Sequence, residues 1–242
     1  MTIPPKPTEA VIDADFLVYS VAFSCKDVEE QWAKNRLTEW LTDMVYIRLK
    51  CTDYKAFITG KSNFRYDLAK TVPYKGNRKD VEKPEHYKAL RKHLTRLEAV
   101  TTEGEEADDA VGIFANGKSV WIIHVDKDLD QLPGWHYNPV KDLEYFVSEE
   151  EGLKSFYLQM LTGDRIDAIQ GLKGIGPVKA ARLLKGLTGN KEMYEAVVEA
   201  YKAAGEAPER VLENGQLLWL RRVEGQLWKP PQEDSEHDHA KV

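Results

Sequence analysis

The stretch TEGEEADDAVGIFANGKSVWIIHVDKDLDQL, residues 102–132, joins an acidic helix start to a short apolar strand and a second acidic group. Apolar residues recur at helical spacing from 107 to 114 and predict a helix that Gly117 ends. Residues 120–125 carry almost no charge and predict a buried strand. The acids after this strand are therefore expected at the carboxyl end of a parallel sheet, where α/β proteins bind ligands.

The acids of this stretch form one group around the helix start and another after the strand. They are Glu103, Glu105, Glu106, Asp108, Asp109, Asp126, Asp128 and Asp130. In one interpretation the first group complements the helix dipole and the second is a solvated loop. In the other, both groups line one crevice, where a cation must neutralise them. Mg²⁺ and Mn²⁺ bind oxygen ligands of this kind.

The composition fits a folded protein rather than a membrane or secreted one. The chain has 242 residues and 42% hydrophobic content, enough for one large α/β domain or a core with a smaller appendage. It has no apolar run of about 18 residues, and MTIPPKPTEA at its start lacks a secretory signal. Cys25 and Cys51 are too few for a disulfide framework. A cytoplasmic protein without a membrane association is expected.

The charge is distributed unevenly along the chain. Residues 47–96 contain 14 Lys and Arg against five acids, although the whole chain has a net charge of −6. A basic segment beside an acidic pocket suits a phosphodiester substrate, because the basic groups hold phosphates while the acids hold metal. The alternative is a solvated basic face.

Two strands are predicted ahead of the acidic stretch. Residues 10–12 form the first and end at Asp13, a long helix covers 28–51, and residues 56–58 form the second strand. The segment 62–94 is irregular in its first half and helical in its second. Its basic and aromatic residues either hold a phosphate backbone and stack an unpaired base, or form a lid without specific contacts.

A second informative stretch, LTGDRIDAIQGLKGIGPVKAARLL, covers residues 161–184. Asp164 and Asp167 are three apart, so a helical turn would place them on one side. A glycine-rich turn over 171–176 leads into a helix, and such a turn exposes backbone amides to an anion. The flanking chain predicts further strands and helices, at 135–137, 144–147, 152–161, 191–204 and 208–223.

Five ordered blocks resemble the 5′-nuclease family of flap endonucleases, phage 5′–3′ exonucleases and the amino-terminal domain of bacterial DNA polymerase I. The blocks are VIDAD, FRYDLAKTVPYKGNR, EGEEADDAVG, HVDKDLDQL and LTGDRIDAIQGLKGIGPVKAARLL. The resemblance covers about residues 11–187. Within the family, the chain is most similar to the stand-alone phage or bacterial enzymes. It implies a PIN-like α/β fold: a parallel sheet flanked by helices, a helical arch over the active site, and a helix-hairpin-helix carboxyl-terminal region.

The resemblance also implies roles for individual residues. The implied metal ligands are Asp13, Glu106, Asp108, Asp109, Asp126, Asp128, Asp164 and Asp167. The implied catalytic residues, which contact the scissile phosphate, are Lys75 and Arg78. The implied DNA-binding residues are Arg65, Tyr74, Gly171, Lys173, Gly174, Gly176 and Lys179. Many relatives carry another acid soon after the second strand, whereas this chain reads Ile58-Thr59-Gly60; Asp15 is a candidate to compensate.

The domain expectation is a nuclease core over residues 1–160 with a basic arch at about 61–96, a helix-hairpin-helix region over 161–228, and a disordered tail over 229–242. The implied function is cleavage of DNA at 5′ ends or flaps with two Mg²⁺ or Mn²⁺ ions, and with K⁺ at the 171–176 turn. The implied partner is DNA with a 5′ end, flap or nick, with RNA–DNA hybrid as a further substrate. The protein is expected to be a monomer in the cytoplasm of a bacterial or phage-infected cell. The alternatives are a protein that binds branched or 5′-ended DNA without cutting it, and an RNase of the related PIN type.

Overall fold

A six-stranded sheet forms the centre of the computed structural model, which describes residues 3–78 and 82–232. The strands are β1 (Glu9–Asp13), β2 (Asp53–Ile58), β3 (Val100–Thr101), β4 (Trp121–Ile123), β5 (Gly134–Asn138) and β6 (Leu143–Val147). Their order is β3-β2-β1-β4-β5-β6, with β6 alone antiparallel to its neighbour. The predicted α/β class with a mostly parallel sheet is confirmed, and β1 and β4 are its two central strands.

Helices cover both faces of the sheet, and further helices form the carboxyl-terminal part of the chain. They are α1 (Asp15–Ser24), α2 (Glu30–Thr42), α3 (Arg65–Leu68), α4 (Tyr87–Arg96), α5 (Ala107–Ala115), α6 (Glu149–Thr162), α7 (Pro177–Leu183), α8 (Gly189–Ala203) and α9 (Pro208–Leu218). The long helix predicted over 28–51 is α2 followed by a π-helical stretch, Asp43–Arg48. No helix among the described residues is long and apolar enough to cross a membrane.

Three apolar clusters hold these layers together. One packs α1, α2 and α4 against the sheet, a second packs α5 on the opposite face, and the third joins α6 to α9. Helix α4 belongs to the first cluster, since Leu90 and Leu94 are fully buried in it. The second half of the predicted arch segment 61–96 thus packs on the core, and the arch over the cleft stays a prediction. Residues 79–81 of the segment lie outside the described chain.

The segment just before the predicted glycine turn is a β-hairpin, whereas a helical turn was expected there. Helix α6 ends at Thr162, and a small antiparallel hairpin of β7 (Gly163–Asp164) and β8 (Ile169–Gln170) precedes the turn 171–176 and α7. The backbones approach so closely that a Cβ on Gly163 would lie 2.2 Å from the amide nitrogen of Gly171. The helical geometry expected around Asp164 is thus replaced by a β-hairpin turn. Of the predicted disordered tail, residues 233–242 lie outside the described chain.

Candidate functional site

An open cleft of about 820 Å³ lies at the carboxyl ends of the central strands. Acidic side chains from four separate parts of the chain line it: Asp13, Asp15, Glu106, Asp108, Asp126, Asp128, Asp164 and Asp167. Seven of the eight acids predicted as metal ligands are in this set, and the exception is Asp109. The structure thus brings these carboxylates together, while their role as ligands stays a prediction.

Local backbone hydrogen bonds hold several of these carboxylates in place. Oδ1 of Asp13 accepts from the amide of Asp15 at 3.2 Å, where β1 turns into α1. After β4, the Asp126 carboxylate accepts from the amide of Asp128 at 3.0 Å and caps the 3₁₀ turn Lys127–Gln131. Asp164 caps the β7–β8 turn by accepting from the amides of Ile166 and Asp167. Each strand end therefore fixes its own acid at the cleft.

The side chain of Tyr74 takes part in this cluster. Its hydroxyl lies 2.6 Å from Oε2 of Glu106 and 2.7 Å from Oδ2 of Asp167, and the residue is only 4% exposed. A ring buried in this way is not exposed for stacking on an unpaired DNA base. In this arrangement Tyr74 orients the carboxylates that face the cleft, and its DNA-binding role stays a prediction.

Lys75 supplies a positive charge inside the cleft. Its ammonium group pairs with Glu106 and lies 3.7 Å from Oδ2 of Asp167. Although burial by itself lowers the pKa of Lys75, the charges of Glu106 and Asp167 raise it above its usual value, so the side chain is cationic. The other predicted catalytic residue, Arg78, ends the 3₁₀ turn Gly76–Arg78, and its side chain lies outside the described atoms.

Asp109 is not among the residues that line the cleft, and it forms a buried ion pair with Arg65. The guanidinium donates to both carboxylate oxygens, at 2.5 and 2.9 Å, and the two side chains are 0% and 2% exposed. Burial alone would raise the pKa of Asp109, but Arg65 holds it below its usual value. Arg65 also donates to the carbonyls of Leu217, in the last turn of α9, and of Trp219, just after the helix. This pair joins α5 to the carboxyl-terminal region, and the roles of Asp109 as a metal ligand and of Arg65 as a DNA contact stay predictions.

Burial and mutual repulsion make the cleft acids hard to ionise. Burial first, and then the neighbouring negative charges, raise the pKa of Asp13 and Asp108 well above the usual range. The same causes raise the pKa of Asp128 to about 8, with Asp126 and Asp164 as the repelling neighbours. A divalent cation relieves such repulsion, and carboxylate oxygens are the ligands that hard cations prefer. The donor set of the cleft therefore fits Mg²⁺ or Mn²⁺.

The raised pKa of Asp128 predicts a pH-dependent loss of stability in metal-free protein. Its folded-state pKa of about 8 exceeds the ordinary value of 3.8. The stability that protonated Asp128 contributes to the fold is therefore fully present below pH 3.8 and is lost as the pH rises to 8. In EDTA, Asp128→Asn is expected to gain stability over the wild type across this window, by at most about 1.4 kcal/mol per pH unit. Urea unfolding at several pH values measures the difference. Parallel pH profiles for the two proteins would contradict the prediction.

The predicted DNA-binding residues of the glycine turn lie apart from the cleft acids. Lys173, Gly174, Gly176 and Lys179 are exposed, and Gly171 is half-buried. None of them lines the cleft. Gly174 has a φ of +77°, a conformation that favours glycine. An exposed turn with two lysines at the start of α7 is accessible to a phosphate backbone, and its DNA contact stays a prediction.

Arg91 is a cleft residue that the sequence did not single out. Its guanidinium donates to Oδ1 of Asp15 at 3.0 Å and to the carbonyl of Thr59. Asp15 in turn accepts from the amide of Thr59 at 3.0 Å. The Asp15 carboxylate thus lies at the end of β2. Many relatives carry a further acid at this place in the sequence, where this chain has Thr59. One signal in the sequence could have indicated the position of Arg91. It lies one helical turn after Tyr87 in a predicted helix, so the two side chains are expected on the same face.

Comparisons with known proteins agree with the fold and the sequence blocks. No family model matches the chain. DNA polymerase I from Rhizobium leguminosarum is 40% identical over 103 residues, which are 37% of this chain and 10% of that protein. The 5′-3′ exonuclease of Mycoplasmopsis pulmonis is 27% identical over 189 residues, 69% of this chain and 62% of that protein. The chain thus spans less than two thirds of the length of either relative.

A similar fold occurs in a solved structure of the bacteriophage T5 5′-exonuclease with bound zinc. The two folds superpose with a TM-score of 0.62 at 19% identity, over 87% of this chain and 89% of the phage protein. The resemblance indicated by the five sequence blocks is confirmed by these relatives. The chain is thus similar in sequence to DNA polymerase I and to a 5′-3′ exonuclease, and similar in fold to the phage 5′-exonuclease.

Proposed function

We propose that this chain is a structure-specific nuclease that hydrolyses DNA phosphodiesters at 5′ ends or 5′ flaps with divalent metal ions. The observation that carries this proposal is the convergence of Asp13, Glu106, Asp126 and Asp164, from distant parts of the chain, on one cleft that also contains Lys75. A relative named 5′-3′ exonuclease supports the same reaction.

Within the proposed reaction, the cleft residues have separate tasks. The carboxylates would hold two Mg²⁺ or Mn²⁺ ions, which when bound activate water and stabilise the leaving oxygen. Lys75 neutralises negative charge that develops on the scissile phosphate. Tyr74 keeps Glu106 and Asp167 in position, because its hydroxyl lies within hydrogen-bond distance of both carboxylates and donates its one proton to this pair. Arg78 is proposed to assist Lys75.

DNA contact is proposed to extend from the cleft to the exposed turn 171–176. The backbone amides of this turn and the side chains of Lys173 and Lys179 would hold a duplex backbone, in the manner of a helix-hairpin-helix, with K⁺ as the accompanying ion. The proposed substrates are DNA with a 5′ end, flap or nick, and RNA–DNA hybrid. We propose that the protein acts as a monomer in the cytoplasm of a bacterial or phage-infected cell.

The test is a cleavage assay on labelled 5′-flap, 3′-flap, nicked duplex, blunt duplex and RNA–DNA substrates. We expect products from the flap or nicked substrate with Mg²⁺ or Mn²⁺, and none in EDTA. The product lengths decide between exonuclease and flap cleavage, and the hybrid decides whether RNA is accepted. Equal cleavage of 3′-flap and 5′-flap DNA would contradict the proposal, as would cleavage that persists in EDTA.

One observation favours a second candidate, a protein that binds branched or 5′-ended DNA without cutting it. The residue after β2 is Thr59 rather than an acid, and Asp15, its nearest substitute, is paired with Arg91. If this reduced charge weakens ion binding, DNA binding in EDTA would be retained while no cleavage follows on addition of Mg²⁺ or Mn²⁺. The assay above distinguishes the two functions when it is paired with a DNA-binding measurement.

A further inference from the structure

Two buried histidines and an aspartate meet behind the loop that follows β4. Their ligand atoms all lie within 4.8 Å of one another, in the cluster His124, Asp130 and His136. Nε2 of His124 is 2.7 Å from Nδ1 of His136 and 3.9 Å from Oδ1 of Asp130. Neither histidine lines the acidic cleft, so this cluster is separate from the carboxylates proposed to hold the catalytic ions.

The outer nitrogen of each ring faces a backbone carbonyl. Nδ1 of His124 is 2.5 Å from the carbonyl oxygen of Asp126, and Nε2 of His136 is 2.8 Å from that of Leu132. A carbonyl oxygen only accepts hydrogen bonds, so each of these nitrogens must carry the ring proton. In neutral rings the two nitrogens that face each other, 2.7 Å apart, are then both lone pairs. They repel unless a cation lies between them.

A shared extra proton is the first cation to consider, and burial opposes it. The side chain of His124 is 1% exposed and that of His136 is 0%. An imidazolium in such a site would lose most of its hydration, which costs free energy, so these surroundings favour neutral rings. The two lone pairs then remain available to a metal ion, which neutral imidazole binds well.

The surroundings of the cluster match those of histidine metal sites. A ligating histidine usually donates its other N–H to a carbonyl or carboxylate, which fixes the ring, and both rings do so here. The hydroxyl of Tyr145 donates to Oδ1 of Asp130 at 2.6 Å and orients that carboxylate. The Asp130 side chain is 35% exposed, which leaves a path from solvent to the cluster. Ions that prefer nitrogen ligands, such as Zn²⁺, suit two imidazoles and a carboxylate, whereas Mg²⁺ does not.

We propose that His124, His136 and Asp130 bind one Zn²⁺-type transition-metal ion at a site distinct from the acidic cleft. Zn²⁺ bonds nitrogen at about 2.0–2.1 Å in tetrahedral geometry, so the two ring nitrogens separate by roughly half an ångström when it binds. The ion links the residue just after β4 to β5 and to the 3₁₀ turn Lys127–Gln131, and that turn carries Asp128 into the cleft. The site thereby stabilises the loop of Asp126 and Asp128.

The experiment titrates Zn²⁺ into full-length, chelator-treated protein in the presence of excess Mg²⁺, and repeats the titration with Co²⁺ as a coloured substitute. We expect one tightly bound Zn²⁺, imidazole ligands in its X-ray absorption spectrum, and an intense visible Co²⁺ band typical of tetrahedral nitrogen ligation. His136→Phe and Asp130→Asn are expected to weaken Zn²⁺ binding by about 100-fold or more and to remove the Co²⁺ band. Losing a residue that only orients a ligand typically costs about 10–100-fold in metal affinity, and losing a ligand is expected to cost more.

Two control variants separate this site from its surroundings. Tyr145→Phe keeps all three ligands and should retain the Co²⁺ band, as should the cleft variant Asp13→Asn/Asp164→Asn. If His136→Phe does not fold, Asp130→Asn decides, because its side chain is partly exposed. The proposal is overturned if the tight Zn²⁺ is lost in the cleft variant but kept in Asp130→Asn, if its spectrum contains only oxygen ligands, or if no tight Zn²⁺ binds. These outcomes do not depend on nuclease activity, so the proposed function is tested separately.

Discussion

Replacing Asp126 with alanine is expected to lower the rate of DNA cleavage by about 10³-fold or more, because it removes one carboxylate from a cleft proposed to hold two metal ions. Asp126 is exposed at the end of β4 and lines the cleft. Its loss leaves the apolar core intact, so the variant should fold. DNA binding should change little, because the exposed lysines of the 171–176 turn are untouched. Single-turnover cleavage of a 5′-flap substrate, with binding measured in parallel in Ca²⁺, tests both statements.

A matched control for Asp126→Ala is Glu103→Ala. Glu103 is also acidic and exposed, but it lies outside the cleft lining. This control should cleave DNA at close to the wild-type rate, because it removes the same charge without removing a proposed ligand. A near-normal rate in Asp126→Ala would refute the assignment of the cleft as the active site. An equal loss in both variants would indicate a general electrostatic effect instead.

Replacing Asp109 with alanine should lower the free energy of unfolding by about 3–5 kcal/mol, the usual cost of leaving one partner of a buried ion pair unpaired. Arg65 would remain almost fully buried, 2% exposed, without its carboxylate. The amide of Arg221, which donates to Oδ1 of Asp109 at 3.1 Å, would also lose its acceptor. Urea unfolding in EDTA measures the loss of stability independently of any bound metal.

A double-mutant cycle with Arg65→Met identifies the pair as the cause of this loss. Arg65→Met should cost much less in the Asp109→Ala background than in the wild type, because the charge it removes is already unpaired there. A metal-ligand role for Asp109 predicts a different pattern: wild-type stability in EDTA and a selective loss of Mg²⁺-dependent cleavage. Additive effects of the two substitutions would show that they act independently.

The strands and their acids were predictable because their signals are local. A short apolar run followed by aspartate, as at 120–126 and 10–13, indicates a buried strand that ends at a ligand-binding edge. Since parallel strands place their carboxyl ends at the same edge, the meeting of Asp13 with Asp126 follows from the pattern alone. The same reasoning predicted that residues 171–176 form a turn before a helix.

The direction in which a side chain points was less predictable. Asp108 and Asp109 are adjacent, yet one lines the cleft and the other pairs with Arg65. Neighbouring helical residues point about 100° apart, and the sequence does not say which of the two faces the sheet edge. Tyr74 was assigned to DNA by its basic and aromatic neighbours, a compositional signal that carries no information on burial. Its hydroxyl contacts depend on Asp167, more than ninety residues later.

By itself, the sequence determined the α/β class, the two central strands, the acids at their ends and the family resemblance, because each is encoded in short-range periodicity and residue type. Only the tertiary structure decided which acid pairs with Arg65, that α4 packs on the core, and that His124 and His136 face each other across β4 and β5. Those outcomes depend on contacts between residues far apart in the chain. Burial and charge at such contacts are properties of the packed molecule, and no local pattern records them.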